Sequence, residues 1–437
     1  MGKIIIRFAT DRFSLWYFVV SSALILFGYG VAVGKYQIFP YQFLNLAIDG
    51  YRELRGKSEL PRYYRKINNP DRPAVTNTDQ SYEGLNLVVR VAEEQSLSAE
   101  IMDMEGNILH AWNLDWFEIW PDAEHLSDRR TPKSKPGTLV HGAVIMENGD
   151  LVFNFEHLGM VRLDRNGKIV WRLPYQTHHS IHRADDGNLW VSGQREHTEP
   201  STRFPERLAP FDEYTILEVT PEGKILQEWS VPELLRSSNS PGLLYMGGLV
   251  KRFKLVDRDV LHLNDVEIFP DDIDEGFFKK GDVLVSLRDI STVFVFNRYS
   301  EKIKSIYTGL FVRQHDPDFI DGNSFSVFDN NNIAPEEDGP QSRIVIVSAA
   351  NKTSEVFFEG TPETPFYTYR GGKHQWLPNG NLLITEFNWG RAFEVNKRGE
   401  IVWEYINYVD DGVVGLLTEV QRLPSDYRKF YNSSVSE

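Results

Sequence analysis

His141-Gly-Ala-Val-Ile-Met-Glu-Asn-Gly149-Asp-Leu-Val-Phe153, followed by Asp164-Arg-Asn-Gly167-Lys-Ile-Val-Trp171, is one full unit of a repeat. Its first half is two apolar runs hinged on Asn-Gly. Its second half is a polar turn that closes on Gly and runs into Ile-Val-Trp. Asn-Gly and Asp-Gly supply the positive φ angles that tight hairpins need. The unit therefore reads as four strands, an inner hairpin and then an outer one.

Both halves recur. Inner copies open at His179-Ser-Ile-His-Arg-Ala-Asp-Asp-Gly187, at His315-Asp-Pro-Asp-Phe-Ile-Asp-Gly322 and at His374-Gln-Trp-Leu-Pro-Asn-Gly380. A longer copy runs from His262 to Ser286, with an acidic turn over Pro270 to Lys280 that reads as solvated. Outer copies are Asp103 to Trp112, Thr220 to Trp229 and Asn396 to Trp403, with degenerate versions at Asn297 to Ile303 and Asn351 to Val356. Long-period repetition with four strands per unit predicts an all-β, six-bladed β-propeller of four-stranded blades. The closing stretch Leu417-Thr-Glu-Val-Gln-Arg-Leu-Pro424 has no partner of its own. It is expected to complete the first blade and remove the open sheet edges.

Ahead of the repeats, residues 13–34 carry no charge. About 20 apolar residues span a bilayer as a helix. Lys3, Arg7 and Arg12 precede the run and only Lys35 follows closely, which predicts a cytoplasmic N-terminus and a domain on the periplasmic or extracellular side. The absence of a clear small-residue cleavage site favours an uncleaved anchor in the lipid bilayer over a signal peptide. The expected organisation is cytoplasmic N-terminus and anchor over 1–35, linker over 36–80 with a short helix near Phe43 to Arg55, propeller over 81–425 and a tail over 426–437. The 437 residues include no cysteine and carry a formal charge of −15. That excludes a disulfide framework and a thiolate nucleophile, and argues against nucleic acid as a partner.

In a propeller the first strand of each blade lines the central channel. His141, His179, His262, His315 and His374 each introduce that strand, so all five are expected near one mouth. His262-Leu-Asn264 places an imidazole and an amide two apart, facing one way on a strand. Ser286-Leu-Arg288 presents a guanidinium at the end of the next strand. A pocket of Arg288, His262, Asn264, His179 and His315 offers donors to a multi-oxygen anion such as a sulfate or phosphate ester. There is no Gly-rich phosphate cradle and no G-x-S-x-G nucleophile. Converging imidazoles also suit Zn²⁺, which keeps a metal-dependent lactonase or esterase open, as it does a non-catalytic propeller that binds an anion or a protein. The long insertion Arg195 to Tyr214 is a candidate lid.

The ordered set of His178-His179 before Asp-Gly-Asn, His262-x-Asn264, Ser-x-Arg288, Gln314-His315 before Phe328-Asp329-Asn330, and His374 to Trp403 resembles the arylsulfotransferases. These are PAPS-independent aryl-sulfate sulfotransferases built as six-bladed propellers. The resemblance covers about residues 85 to 425. It implies that His315 attacks the sulfur of an aryl sulfate to form a sulfohistidine, from which a phenol or other hydroxyl acceptor takes the sulfuryl group. It further implies that His179, His262, Asn264 and Arg288 hold sulfuryl oxygens or assist proton transfer, and it implies no cofactor and no metal. His178, His141, His374 and Gln314 are expected to line the substrate site. The well-known bacterial enzymes of this kind have a disulfide and an additional N-terminal β domain. This chain lacks cysteine and has about 50 residues between anchor and propeller, enough to contribute a strand.

Overall fold

The computed structural model describes residues 2–36, 39–40, 60–67, 69–205, 207–246, 260–333, 341–362 and 364–431. The helix expected near Phe43 to Arg55 lies outside them. Residues 1–62 and 63–437 form two compact units. Among the described residues the first contains one helix, Gly2–Tyr36, whose stretch Phe13–Gly34 is long and apolar enough to cross a membrane or to serve as a signal sequence.

The second unit begins with two short strands, β1 (Tyr64–Lys66) and β2 (Val75–Asn77). The first sheet takes β3 (Leu85–Val91), β4 (Leu97–Met102) and β5 (Ile108–Asn113). The second has β6 (Val140–Ile145), β7 (Leu151–Phe155), β8 (Gly159–Leu163) and β9 (Ile169–Leu173). The third has β10 (Gln176–Arg183), β11 (Leu189–His197), β12 (Phe211–Val219) and β13 (Ile225–Ser230). The fourth has β14 (Leu263–Ile268), β15 (Asp282–Leu287), β16 (Thr292–Asn297) and β17 (Lys302–Thr308). The fifth has β18 (His315–Asp321), β19 (Ser324–Asp329), β20 (Arg343–Ser348) and β21 (Thr353–Glu359). The sixth has β22 (Lys373–Trp376), β23 (Leu382–Glu386), β24 (Arg391–Val395) and β25 (Ile401–Ile406). The chain then makes β26 (Tyr408–Asp410), β27 (Val413–Gly415) and β28 (Leu417–Leu423).

Within each sheet the strands run up and down in sequence order. β28 pairs antiparallel with β3, Val420 opposite Val88, and supplies the missing inner strand of the first sheet as the sequence predicts. The innermost strands β28, β6, β10, β14, β18 and β22 touch in cyclic order, with β22 returning to β28. This is a β-propeller.

The repeated residues explain the repeated geometry. Asp164 Oδ1 accepts hydrogen bonds from the backbone N–H groups of Asn166 (2.8 Å) and Lys168 (2.9 Å), folding the turn onto its own first side chain. Gly167 sits there at φ 78°, where a side chain would strain the backbone. The Trp that ends four of the outer motifs ties its sheet to the next. Trp112 Nε1 donates to Asp164 O (2.8 Å), and Trp171 Nε1 to Pro221 O (2.9 Å). Trp229 Nε1 donates to Glu301 (3.2 Å), and Trp403 Nε1 to Met104 O (3.0 Å). That last bond joins the sixth sheet to the first. Trp403 is fully buried, so Trp403→Ala is expected to destabilise the fold by about 3–5 kcal/mol, with Trp403→Phe milder. Urea unfolding of the two variants checks this.

Two boundaries differ from the sequence reading. The 36–80 stretch is not all linker: β2 pairs with β25, Asn77 opposite Trp403, and β1 pairs with β27. Three-residue strands are too short to show alternation, so the polar composition hid them. The 426–437 tail is folded through Tyr431. A short helix, Arg428–Tyr431, buries the Tyr431 ring against His110 at 5.3 Å, and its hydroxyl donates to Gly149 O (2.9 Å).

Candidate functional site at the histidine end of the channel

The inner strands start with a kink. Register shifts fall between Val140 and Ala143 in β6, between His178 and Ile181 in β10, between Leu263 and Asp265 in β14, and between His315 and Asp318 in β18. A bulge adds a residue, bends the strand and re-aims a side chain. Here it turns histidines toward the channel. His179, His262 and Asp316 sit at φ 57°, 51° and 50°. Each such non-glycine residue stores on the order of 1–3 kcal/mol, and that strain gathers where function is built. Gly142 takes the same position in β6 at φ 88°, and a Cβ there would lie 1.9 Å from the His179 carbonyl oxygen. The same carbonyl accepts from Asn154 Nδ2 (3.0 Å), locking the second sheet against the third.

The kinks bring four of the five histidines together. The rings of His141 and His179 lie 4.4 Å apart, those of His179 and His262 5.0 Å, and those of His179 and His315 6.4 Å. His179 Nε2 faces His262 Nε2 at 3.3 Å, and its Nδ1 faces His178 Nδ1 at 2.8 Å. His141 Nδ1 lies 3.4 Å from Glu156 Oε1. Burial works to raise the Glu156 carboxyl, but the His141 hydrogen bond and the charges of His141, His157 and His262 outweigh it and hold it well below the usual range. Burial, then the neighbouring imidazoles, push His179 well below the ordinary histidine value. His141, Glu156 and His179 offer three ligand atoms within 4.8 Å of one another, a set that suits Zn²⁺.

His315 is held differently. Its Nδ1 lies 2.6 Å from Asn330 Oδ1. The Asn330 amide nitrogen donates to Thr368 O (2.9 Å) and Gly371 O (2.8 Å), so the oxygen must face the imidazole. Nδ1 therefore carries the proton, and Nε2 keeps its lone pair and accepts from the Gly371 N–H at 3.2 Å. Burial, then the charge of Arg288, pushes His315 well below the ordinary value, against the opposing pull of Asn330. The ring is neutral near pH 7. Arg288 Nε is anchored on Asp289 Oδ1 at 2.9 Å, and the guanidinium charge acts on His315.

Other expected residues sit elsewhere. His374 is not with the other four: its Nδ1 lies 3.1 Å from Asp316 Oδ2 and its Nε2 2.7 Å from Ser326 Oγ, deeper in the channel. Two glycines, Gly371 and Gly372, stand at the histidine level of the sixth sheet, Gly371 touching His315. Gln314 turns away, its Nε2 donating to Ser286 Oγ (2.9 Å) and Thr292 O (3.0 Å). His262 precedes β14 at positive φ and the bulge spans Asn264, so the two-apart rule does not apply between them. Asn264 instead bridges sheets, Nδ2 donating to Gln314 O (2.8 Å), while its buried Oδ1 has no hydrogen-bond partner among the described residues. The insertion Arg195 to Tyr214 is mostly a prolonged hairpin. β11 and β12 pair as far as His197 opposite Phe211, on the histidine side of Gln176. Sequence reasoning missed Glu156 and gave Asn330 no role; both close an inner hairpin opposite a histidine, which was the available signal.

Beyond the histidines the channel changes character. A cavity of about 480 Å³ is lined by Asp265, Glu267, Asp316, Asp318, Lys373 and Glu419, among others. The Lys373 ammonium bonds to Asp316 and to Ser180 Oγ (2.7 Å), with Asp265 at 3.7 Å. Burial raises Asp316, but Lys373 and His374 bring it well below the usual range. Burial lifts Asp265 to about 7 despite Lys373, and lifts Glu267, Asp318 and Glu419 as well.

Several solved structures are similar to this chain. A protein of unknown function from Bacteroides caccae aligns with TM-score 0.49 and 14% identity, over 77% of this chain and 98% of that one. Virginiamycin B lyase from Staphylococcus aureus aligns with TM-score 0.40 and 11% identity, over 80% and 90%. A chain of a nidogen–laminin complex aligns with TM-score 0.43 and 9% identity, over 78% and 98%. At these values the likeness carries no functional information. No curated protein matches. The family model for arylsulfotransferase (ASST) matches residues 142–408, which include His179, His262, His315, Arg288 and Asn330, and the chain belongs to that family.

Proposed function

We propose that the chain moves a sulfuryl group from an aryl sulfate ester to a phenolic or other hydroxyl acceptor, with His315 as the covalent carrier. One observation carries the reading. His315 is buried, neutral and fixed as the Nδ1–H tautomer beside the Arg288 guanidinium. A neutral imidazole with an unprotonated Nε2 is a competent nucleophile once its lone pair leaves the Gly371 N–H for sulfur. In the first step Nε2 attacks sulfur, an N–S bond forms, and the S–O bond to the aryl group breaks. The phenolate leaves with that electron pair and takes a proton delivered through the His141 and His262 rings, because burial holds His179 neutral. In the second step an acceptor hydroxyl returns a proton to those rings and attacks sulfur, and Nε2 regains its pair.

Arg288 holds peripheral oxygens as charge redistributes, and the Gly371 N–H, released from Nε2, becomes a second donor. Arg288→Ala is expected to lower kcat/KM about 10²–10³-fold, the effect of one lost oxyanion donor. It also removes the charge that helps depress His315. The acid limb of the pH–rate profile, below the ordinary histidine value in wild type, should therefore move to higher pH in the variant. An unmoved limb would separate Arg288 from the nucleophile.

The direct test is intact-protein mass spectrometry after brief exposure to p-nitrophenyl sulfate. One sulfuryl adduct, mapped to His315 and discharged by phenol, is the expected result; no adduct during turnover contradicts the mechanism. The reading includes a six-bladed catalytic propeller over residues 81–425, carried on the periplasmic or extracellular side by an uncleaved Phe13–Gly34 anchor. N-terminal sequencing of the membrane-extracted protein tests the anchor, since a start beyond Gly34 would mean cleavage. A second reading, metal-dependent ester or lactone hydrolysis, is favoured by the His141, Glu156 and His179 donor set. Sulfuryl transfer that persists after exhaustive chelation excludes it for this reaction.

A further inference from the structure

The channel cavity beyond the histidines has a charge pattern that sulfuryl transfer does not use. Five carboxylates, from Asp265, Glu267, Asp316, Asp318 and Glu419, converge on it from three inner strands. Lys373 answers two of them, bonding to Asp316 and lying 3.7 Å from Asp265. The two arginines of the lining are committed elsewhere, Arg422 to Glu394 (3.0 Å) and Arg183 to Glu147 (3.4 Å). Among the described residues, Glu267, Asp318 and Glu419 form no ion pair with Lys or Arg, although the Lys373 charge acts on all three, and two of them face imidazoles. His182 Nδ1 lies 3.9 Å from Glu267, and His374 Nε2 lies 3.5 Å from Asp318.

A cluster of acids alone is no site, but Glu419 adds an independent sign. It is 2% exposed, it lines the cavity, and its Oε2 has no hydrogen-bond partner among the described residues. A buried carboxylate oxygen left unsatisfied is costly and calls for a donor. The volume matters too. About 480 Å³ is the size of a small organic ligand and far more than one metal ion needs. Trp376, Tyr427 and Phe319 share the lining, and aromatic faces attract ammonium groups. Asp318 keeps 29% of its side chain exposed, so the carboxylates are reachable from solvent.

We infer that this half of the channel binds a small organic cation carrying more than one ammonium group, of the alkyl di- or polyamine class. Lys373 shows the chemistry in place, an ammonium held between Asp316 and Ser180. A second ammonium entering from solvent meets Asp318, Glu267 and Glu419, while its methylenes lie along Trp376 and Phe319. Burial and mutual repulsion raise these three carboxyls, as expected of acids short of counter-charge. Binding should release protons and tighten as pH rises.

The test is calorimetric titration of the full chain in detergent with spermidine, at physiological ionic strength, beside Asp318→Asn and Glu419→Gln. Both substitutions preserve shape and lie outside the transfer site. The expected result is one saturable site in wild type, weakened about tenfold or more in each variant. Turnover of p-nitrophenyl sulfate in both variants stays at the wild-type level, which separates this site from the histidine cluster. Asp271→Asn, on the exposed acidic turn, should leave the affinity unchanged. No heat of binding overturns the inference, and so does binding that the two channel variants leave intact, which would mean adhesion to an acidic surface. A site that takes Mn²⁺ and not spermidine, with the same loss in Asp318→Asn, also overturns it and assigns a metal instead.

Discussion

His315→Ala is expected to abolish sulfuryl transfer, with kcat falling by about four orders of magnitude or more. The imidazole is the only group in the proposed reaction that bonds to sulfur, so nothing nearby substitutes for it. Its neighbours His141, His179 and His262 serve the proton and the oxygens, and their effects should be smaller. The fold should survive. The substitution leaves Asn330 Oδ1 and the Gly371 N–H without a partner, a loss of about 1–3 kcal/mol per buried group. The measurement pairs p-nitrophenol release with mass spectrometry and a thermal melt. A cooperative melt with no adduct and no turnover is the expected triad. Wild-type turnover, or an adduct that moves to His179 or His262 in wild type, would give the chemistry to another ring.

The propeller was legible because its signal is repetition, and repetition survives noise in any one copy. Asp164, Asp103, Thr220 and Asn396 fold their turns by the same side-chain bonds, and the Trp at the end of each motif reaches the next sheet. The closing role of Leu417–Leu423 followed from the same count of strands. What escaped was local and short. β1 and β2 are three residues each, and Tyr431 lies in a six-residue run that alternates charged residues with Tyr427 and Phe430.

The site was read less completely, because one strand parity was assumed where the chain has bulges. Parity holds along an even strand and fails at an added residue. The His374 assignment failed for a different reason, because β22 pairs with β23 without a register shift. His141 and His179 each precede their turn glycine by eight residues, but His374 precedes Gly380 by six. Counting eight back from Gly380 gives Gly372, and the structure puts a Gly-Gly pair at that level, with His374 two residues deeper on Asp316. The offset was in the sequence, and the choice of histidine over glycine followed chemistry instead. Glu156 and Asn330 escaped for another reason. They lie just past the ends of β7 and β19, where the one mark is a hairpin end opposite a histidine, and that signal was not used.

Asn330→Ala is the second large effect, about 10²–10⁴-fold on kcat, from a residue that never touches the substrate. Asn330 sets which nitrogen of His315 holds the proton. Its two donor bonds, to Thr368 O and Gly371 O, fix the amide so that only its oxygen faces Nδ1. Without it the Nε2–H tautomer becomes populated, and that form has no lone pair to offer sulfur. Loss of the correct tautomer in a catalytic histidine of another enzyme class lowers kcat about 10⁴-fold. The depression should fall on kcat and leave KM near its wild-type value, because Arg288 remains. A disturbed loop alone could mimic a positioning role, and Ser342→Ala separates the two. Ser342 Oγ accepts from the Thr368 N–H (3.0 Å) and donates to Asn330 O (3.2 Å), so the substitution loosens the same loop without touching His315. If Ser342→Ala matches the loss in Asn330→Ala, the effect belongs to the loop. If Ser342→Ala turns over near the wild-type rate while Asn330→Ala does not, it belongs to the tautomer.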